Sequence, residues 1–169
     1  MKKYHSTILI VDDDANDRLF IERAFNNLGM NDPVHTVASG QEAIAYMTGE
    51  GKYSDRDAYA YPTFITTDLK MPGTDGFAVL EHLKRRPEWA IIPTVVLSSS
   101  NDLDDIRRAY GLGASSYHIK PANLSELNKL VRVLHDYWMT CEVPLVDASG
   151  HQLPTVSRGK LGARLDLSR

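Results

Sequence analysis

The sequence contains few of the features that mark several specialised classes of protein. Cys141 is the only cysteine among 169 residues, so an internal disulfide and a zinc site built from several thiolates are both excluded. The first apolar run, residues 8–11, ends at three aspartates, far short of a signal peptide or a membrane span. A net charge of -3 gives no general attraction to nucleic acid or to an anionic membrane. We therefore expect a cytoplasmic protein that has neither nucleic acid nor membrane as a partner.

The composition is that of a globular chain, with 43% hydrophobic and 24% charged residues. Short apolar runs that are typical of buried strands alternate with amphipathic segments that have helical spacing. The predicted strands are residues 8–11, 34–38, 62–67, 94–97 and 116–119. This alternation predicts an α/β fold, a doubly wound parallel sheet of five strands with five helices on its two faces.

Helix boundaries are also visible in the sequence. Ser39 and Glu42 form a capping box at the start of the second helix, and Asn123 with Glu126 makes a similar start for the last helix. Gly29 is predicted to follow the end of the first helix. These signals support the same alternation of strands and helices.

The length leaves room for one domain and an appendage. We place the domain at residues 1–143 and a flexible tail at residues 144–169, where periodicity stops and glycines, prolines and a mild basic excess appear. The tail is too short for an output module with its own core. Residues 49–60 are predicted to form an extended surface loop without chemistry.

Polar residues follow four of the predicted strands at the point where each strand ends. Asp12 and Asp13 follow the first strand, Asp68 the third, Ser98 the fourth and Lys120 the fifth. Ligands of open α/β sheets bind beyond the carboxyl ends of the strands, so these side chains are expected to lie together. Clustered carboxylates repel one another unless a cation lies between them, and oxygen ligands favour Mg²⁺. Such a site suits phosphoryl transfer with Asp68 as the nucleophile.

Other polar residues near this edge have simpler interpretations. Asp14 is predicted to cap the first helix, and Asp75 with Gly76 is predicted to form a turn and a helix cap. Trp138 is interpreted as packing of the last helix, and Cys141 as an inert residue near its end.

Four motifs together resemble the receiver domains of two-component response regulators. They are Val11-Asp12-Asp13, the run from Asp68 to Gly76, Ser98-Ser99 and Lys120-Pro121. The resemblance covers roughly residues 6–140 and implies a flavodoxin-like receiver with strand order 2-1-3-4-5. It also implies phosphorylation of Asp68 by a sensor histidine kinase.

The resemblance assigns a role to each site residue. Asp12, Asp13, Asp68 and the backbone carbonyl of Lys70 would hold Mg²⁺ or Mn²⁺. Lys120 would pair with the phosphoryl group.

A second set of residues follows from the same resemblance. Ser98 would bond the phosphoryl group, and Ser98 with Tyr117 would form the switch. The Lys120–Pro121 peptide bond is expected to be cis.

A closer similarity is to single-domain regulators that are paired with phytochrome histidine kinases. It is carried by the long loop before the third strand, by residues 97–100, and by residues 137–140 before Pro144. This similarity implies a phytochrome as the partner kinase.

We expect a phosphorylation switch whose readout face is the fourth helix, the fifth strand and the fifth helix. The active form would dock on a partner, dimerise or shuttle phosphate. It would be no enzyme toward external substrates.

Three alternatives stay open. The first is a Mg²⁺-dependent phosphohydrolase of the haloacid dehalogenase type, although Lys70 stands where that class has a second acid. A receiver that binds partners without phosphate is the second. The third, a flavin-binding electron carrier, is disfavoured by the acids after the first strand.

Overall fold

The computed structural model describes residues 7–142, and strands alternate with helices along them. The strands are Ile8–Val11 (β1), Val34–Val37 (β2), Phe64–Thr67 (β3), Thr94–Ser98 (β4) and Ser116–Ile119 (β5). The helices are Ala15–Asn26 (α1), Gly40–Thr48 (α2), Gly76–Lys84 (α3), Pro87–Ala90 (α4), Leu103–Gly111 (α5) and Leu124–Thr140 (α6). The predicted tail, residues 144–169, lies outside the described residues.

The strands form one parallel sheet in the order β2-β1-β3-β4-β5. The predicted fold class and strand order are therefore confirmed. The described part of the chain has one helix more than predicted, because the four residues of α4 follow directly after α3. The fourth and fifth helices of the prediction are therefore α5 and α6. Pro87 opens α4, and Trp89 within it is 1% exposed, so this short turn closes the core beneath α3.

Alternation along β1 shows how the sheet is covered on both faces. Ile8 and Ile10 pack in one core with residues of α1 and α6, while Leu9 and Val11 pack in the other with residues of α2 and α3. A strand that is buried on both faces must be apolar at every position, and all four residues of β1 are buried. This interior strand therefore carries the acids that follow it to the carboxyl edge of the sheet, beside the end of β3.

The segment between α2 and β3 is more ordered than the predicted loop. Gly51–Ser54 forms a 3₁₀ turn, and the side chain of Tyr53 within it is buried. The Arg56 guanidinium donates hydrogen bonds to the carbonyl oxygens of Tyr46 (2.8 Å) and Met47 (2.9 Å). The last carbonyls of a helix have no partner within the helix, and Arg56 supplies a donor to that of Met47. The Tyr46 carbonyl also accepts the Gly49 N–H at 3.3 Å, so Arg56 is its second donor. Residues 49–60 therefore lie mostly on the surface, as predicted, but they are folded around this turn and do not form an extended loop.

The predicted caps of α2 and α6 are present. Ser39 Oγ accepts the Glu42 N–H at 3.1 Å, and Asn123 Oδ1 accepts the Glu126 N–H at 2.9 Å. The reciprocal bond of the first capping box is shifted by one residue, since the Glu42 carboxylate accepts the N–H of Ala38 at 2.9 Å.

Within residues 7–142, none of the helices has the length and apolar character needed to cross a membrane.

Candidate functional site

The parallel register brings the ends of four strands to one edge of the sheet. Val11 pairs with Thr67, and Ser98 pairs with Ile119, so the residues after these strands start from adjacent positions. Two backbone bonds continue the ladder into the site. The Asp68 N–H donates to the carbonyl oxygen of Val11 (2.9 Å), and the Lys120 N–H donates to that of Ser98 (2.8 Å).

Three carboxylates meet at this edge, as predicted. One oxygen from each of Asp12, Asp13 and Asp68 lies within 4.8 Å of the other two. Asp12 is 1% exposed and Asp68 is 7% exposed, whereas Asp13 lies open to solvent. Burial raises the pKa of Asp12 to about 6, although Lys120 acts against this shift. Hard oxygen ligands from three acids, one of them exposed for entry, fit a hydrated divalent cation such as Mg²⁺ or Mn²⁺.

A single ammonium group is shared by three acids. Lys120 Nζ lies 2.7 Å from Asp12 Oδ2, 2.7 Å from Asp17 Oδ2 and 3.0 Å from Asp68 Oδ2. Burial by itself lowers the pKa of Lys120, but bonding to Asp12 and Asp17 outweighs this effect and the net shift is upward. Lys120 therefore stays charged at neutral pH, directly over Asp68.

Asp17 was not predicted as a site residue. It is the third residue of α1, where an acid commonly interacts with the amino end of the helix. Its proximity to Lys120 depends on how α1 lies against the sheet, and the sequence gives no signal for that.

The turn after β1 is fixed by its own side chains. Arg18 Nη1 donates to the carbonyl oxygens of Asp12 (2.6 Å) and Asp13 (2.9 Å). Asp14 caps α1, since its Oδ1 accepts the N–H of Asp17 at 3.0 Å, and this confirms the cap prediction. These contacts hold the two acids in place from the backbone side, and Arg18 is a second residue that sequence reasoning missed.

The turn after Asp68 requires glycine at its end. Asp75 caps α3 by accepting the Ala78 N–H at 2.9 Å, as predicted, and Gly76 follows it. A Cβ atom on Gly76 would lie 2.0 Å from the carbonyl oxygen of Asp68 and 2.8 Å from the Cα atom of Leu69. The backbone of α3 therefore contacts the backbone of Asp68 so closely that no larger residue fits.

Hydrogen bonds around the loop after β4 link the predicted residues Ser98, Tyr117 and Lys70. They run through Ser100 and Asp105, which were not predicted. Ser98 is fully buried, and its Oγ accepts the Ser100 N–H at 3.3 Å. Tyr117 Oη donates to the Ser100 carbonyl oxygen (2.8 Å), and Ser100 Oγ donates to Asp105 (2.7 Å). Lys70 Nζ pairs with the same Asp105 carboxylate at 2.9 Å. The side chain of Lys70 therefore ties the loop after Asp68 to α5.

The expectation of a cis bond before Pro121 was wrong, because residues 7–142 contain no cis peptide bond. The trans form is the more stable isomer even before proline, by about 0.5–1 kcal/mol. With the trans bond in place, Lys120 keeps both its backbone bond to Ser98 and its contact with Asp68.

Comparison with known protein families identifies the family of this chain. The family model for the response regulator receiver domain matches residues 8–132, which contain every site residue named above. The chain belongs to this family. It is a receiver-domain response regulator of two-component signalling.

Two curated relatives show how far the similarity extends. The receiver is 33% identical over 132 residues to "Probable methanogenesis regulatory protein FilR2" of Methanothrix harundinacea (strain 6Ac), which covers 78% of this chain and 83% of the relative. It is 30% identical over 132 residues to "Response regulator Rcp1" of Synechocystis sp. (strain PCC 6803), covering 78% and 88%.

Solved structures agree with the fold. The phosphorylated cyanobacterial phytochrome response regulator RcpA superposes with a TM-score of 0.77 at 37% identity, over 83% of this chain and 99% of that one. A Mn²⁺-bound form of Rcp1 superposes with a TM-score of 0.74 at 29% identity, over 83% and 99%. The receiver therefore has the architecture of both proteins.

Proposed function

We propose that the receiver accepts a phosphoryl group on Asp68 from a partner sensor histidine kinase. The observation that carries this proposal is the convergence of Asp12, Asp13 and Asp68 within 4.8 Å, with the Lys120 ammonium 3.0 Å from Asp68. Phosphoryl transfer needs positioning and neutralised charge more than an elaborate base, and this arrangement offers both.

The two oxygens of Asp68 have different surroundings. Oδ1 accepts the Leu69 N–H at 2.6 Å, and Oδ2 faces Lys120. In the proposed transfer, a bond forms between an Asp68 oxygen and phosphorus while the bond from phosphorus to the donor nitrogen breaks. Lys120 supplies N–H donors where charge collects on the phosphoryl oxygens.

A divalent cation fits this site and would neutralise phosphoryl charge when bound. Asp12, Asp13 and Asp68 would hold it, together with the backbone carbonyl of Lys70. The Mn²⁺-bound form of the relative Rcp1 supports this assignment.

The switch would begin at Ser98. A phosphoryl group on Asp68 would offer a charged acceptor to the Ser98 O–H. Moving toward it would lengthen the 3.3 Å bond in which Ser98 Oγ accepts the Ser100 N–H. Movement of Ser98 toward Asp68 would release the loop that Tyr117 holds at Ser100. The change would then reach α5, where Asp105 is bonded to the same loop.

The readout face, α5, β5 and α6, is suited to binding. It displays exposed apolar side chains that the core does not use, namely Leu103, Tyr110, Ile119, Leu124, Val133 and Tyr137. We propose that phosphorylation controls docking of a partner or dimerisation through this face.

The kinase is proposed to be a phytochrome, because the similar RcpA is a phytochrome response regulator. The domain is proposed to span residues 1–143, followed by a tail at residues 144–169, and to act in the cytoplasm. Mixing the receiver with a phosphorylated phytochrome kinase and with an unrelated kinase tests the pairing. Faster transfer from the unrelated kinase would contradict it.

The first experiment is labelling by acetyl phosphate with Mg²⁺, read as added mass on the intact protein. Wild type should gain one phosphoryl group and Asp68→Asn none. Asp104→Asn, which removes an exposed acid on α5, is the matched control and should label normally. No gain in the wild type would favour a receiver that binds partners without phosphate.

Turnover of external phosphomonoesters is the competing function. An acid two residues after the nucleophile would support it, but Lys70 stands there and its side chain is paired with Asp105. We therefore propose that the receiver is no enzyme toward other substrates. Many turnovers of a phosphomonoester per protein molecule would overturn this.

A further inference from the structure

We propose that Asp17 is a positioning residue for phosphoryl transfer, which holds the Lys120 ammonium in place over Asp68. This inference rests on the proposed function and adds a residue to it. Asp17 stands outside the three carboxylates that would hold the cation, and it would act only through Lys120.

Asp17 makes a short hydrogen bond with the Lys120 ammonium. Its Oδ2 accepts a hydrogen bond from Lys120 Nζ at 2.7 Å, shorter than the 3.0 Å bond to Asp68. An ammonium has three N–H donors, and three acids surround this one. Asp17 therefore fixes one donor direction and leaves another for Asp68, while Asp12 Oδ2 contacts the ammonium as an ion pair without hydrogen-bond geometry.

Asp17 differs from the other two acids in what a cation would do to it. Asp12 and Asp68 belong to the group that could hold a metal ion, and Asp17 does not. A carboxylate that coordinates a dication attracts an ammonium less, and the dication also repels the ammonium. With the cation site filled, Asp17 is thus the partner that keeps Lys120 at the site.

The local structure of α1 presents Asp17 for this role. Its backbone N–H is bound by the Asp14 cap, so the start of the side chain is fixed. Its side chain is 40% exposed, so holding a charge there costs less desolvation than at Asp12, whose side chain is 1% exposed. The lysine side chain has many rotamers, and a fixed acid favours those that keep the ammonium close to Asp68.

The test compares wild type with Asp17→Asn in two titrations followed by NMR. The first uses Mg²⁺ alone, and the second uses beryllofluoride, a phosphoryl mimic, at saturating Mg²⁺. Asp17→Asn should weaken beryllofluoride binding about five- to tenfold, less than the loss of a fully buried charged hydrogen bond because Asp17 is partly exposed. Mg²⁺ affinity should change by less than about threefold.

Matched variants separate position from charge. Glu22→Gln removes the same charge from the same helix and should leave both affinities within about twofold of wild type. Asp17→Glu keeps the carboxylate and should recover part of the lost beryllofluoride affinity.

A double-mutant cycle tests whether Asp17 acts through Lys120. The initial rate of acetyl phosphate labelling is measured for Asp17→Asn, Lys120→Met and the double variant. Asp17→Asn should slow labelling in the wild-type background and change it by less than about twofold in the Lys120→Met background. Equal slowing in both backgrounds would overturn the inference.

Three other results would also be decisive. Equal weakening of Mg²⁺ and beryllofluoride binding would make Asp17 a metal ligand and overturn the inference. A lower unfolding midpoint with unchanged affinities and labelling would make the role of Asp17 merely structural, and this result would overturn the inference as well. If wild type binds no beryllofluoride and takes no label, the proposed function itself fails, and Asp17 loses its role with it.

Discussion

Tyr117 Oη donates a hydrogen bond of 2.8 Å to the carbonyl oxygen of Ser100, and this bond fastens β5 to the loop that follows Ser98. The N–H of the same Ser100 is bonded to Ser98 Oγ. Ser100 is therefore held at its carbonyl by Tyr117 and at its amide by Ser98, the two residues proposed to form the switch. Movement of Ser98 and movement of Tyr117 both have to disturb Ser100.

Replacing Tyr117 with phenylalanine tests this relationship. The change removes the bond to Ser100 from the arrangement described here, at a cost of about 1 kcal/mol to that arrangement. If the phosphorylated state lacks the bond, Tyr117→Phe should raise beryllofluoride affinity by up to about fivefold. Tyr137→Phe, which changes an exposed tyrosine on α6, is the control. Weaker binding by Tyr117→Phe would show that the bond belongs to the active state.

The ion pair between Lys70 and Asp105 should make the free energy of unfolding depend on pH in the acid range. The Lys70 ammonium, followed by the Ser100 hydroxyl, lowers the pKa of Asp105 in the folded protein. A carboxyl with a lowered folded pKa stabilises the fold above its unfolded pKa of about 3.9 and loses that contribution as pH falls through the folded value. Wild type should therefore exceed Asp105→Asn in free energy of unfolding at pH 6.

The difference should shrink as pH falls below about 4 and disappear only below the lowered folded pKa, where Asp105 is protonated in both states. Urea unfolding at a series of pH values measures it. Asp104→Asn, which removes an acid with a 91% exposed side chain, is the control for charge alone. A pH-independent difference would contradict a lowered folded pKa of Asp105.

Metal addition should stabilise the receiver through Asp13. The three acids repel one another, so a cation that binds only the folded state raises the free energy of unfolding. With roughly 10 mM Mg²⁺ the urea midpoint should rise in wild type, and a tenfold loss of affinity in Asp13→Asn would remove about 1.4 kcal/mol of that gain. Asp104→Asn should respond like wild type. An undiminished gain in Asp13→Asn would remove Asp13 from the set of ligands.

Gly76 and Gly73 offer a matched pair in one loop. A Cβ on Gly76 would meet the Asp68 carbonyl oxygen, whereas one on Gly73 would meet nothing within 4 Å and only oppose a φ of 71°. Gly73→Ala should cost about 1 kcal/mol of stability. Gly76→Ala should cost at least about 3 kcal/mol and should also slow acetyl phosphate labelling, because Asp68 must move. Similar costs for the two variants would contradict the close contact.

The strands and the acidic edge could be predicted because their causes are local. β1 is apolar at every position and ends at Asp12, so both its burial and the start of the acidic edge are visible in sequence order. Parallel strands share one carboxyl edge, which places Asp68, Ser98 and Lys120 beside Asp12 without further information.

The residues that were missed depend on packing between distant segments. Asp17 has the sequence signature of an ordinary first-turn acid, and Asp105 that of an exposed helix residue. Whether either reaches a lysine is decided by the way α1 and α5 lie on the sheet. The trans bond before Pro121 was missed for a different reason, because a family resemblance supplied the expectation and no local signal opposed it.

The contacts of Arg56 bear on where foreign sequence can be inserted in the chain. Its guanidinium closes the carboxyl end of α2 and also lies 4.2 Å from the centre of the Tyr61 ring, so it bridges the two ends of the segment before β3. A fluorescent reporter or an affinity tag inserted at Gly51 would move Arg56 away from the carbonyl oxygens at the end of α2 that it binds. The segment looks like a convenient insertion point, yet it should tolerate foreign sequence poorly.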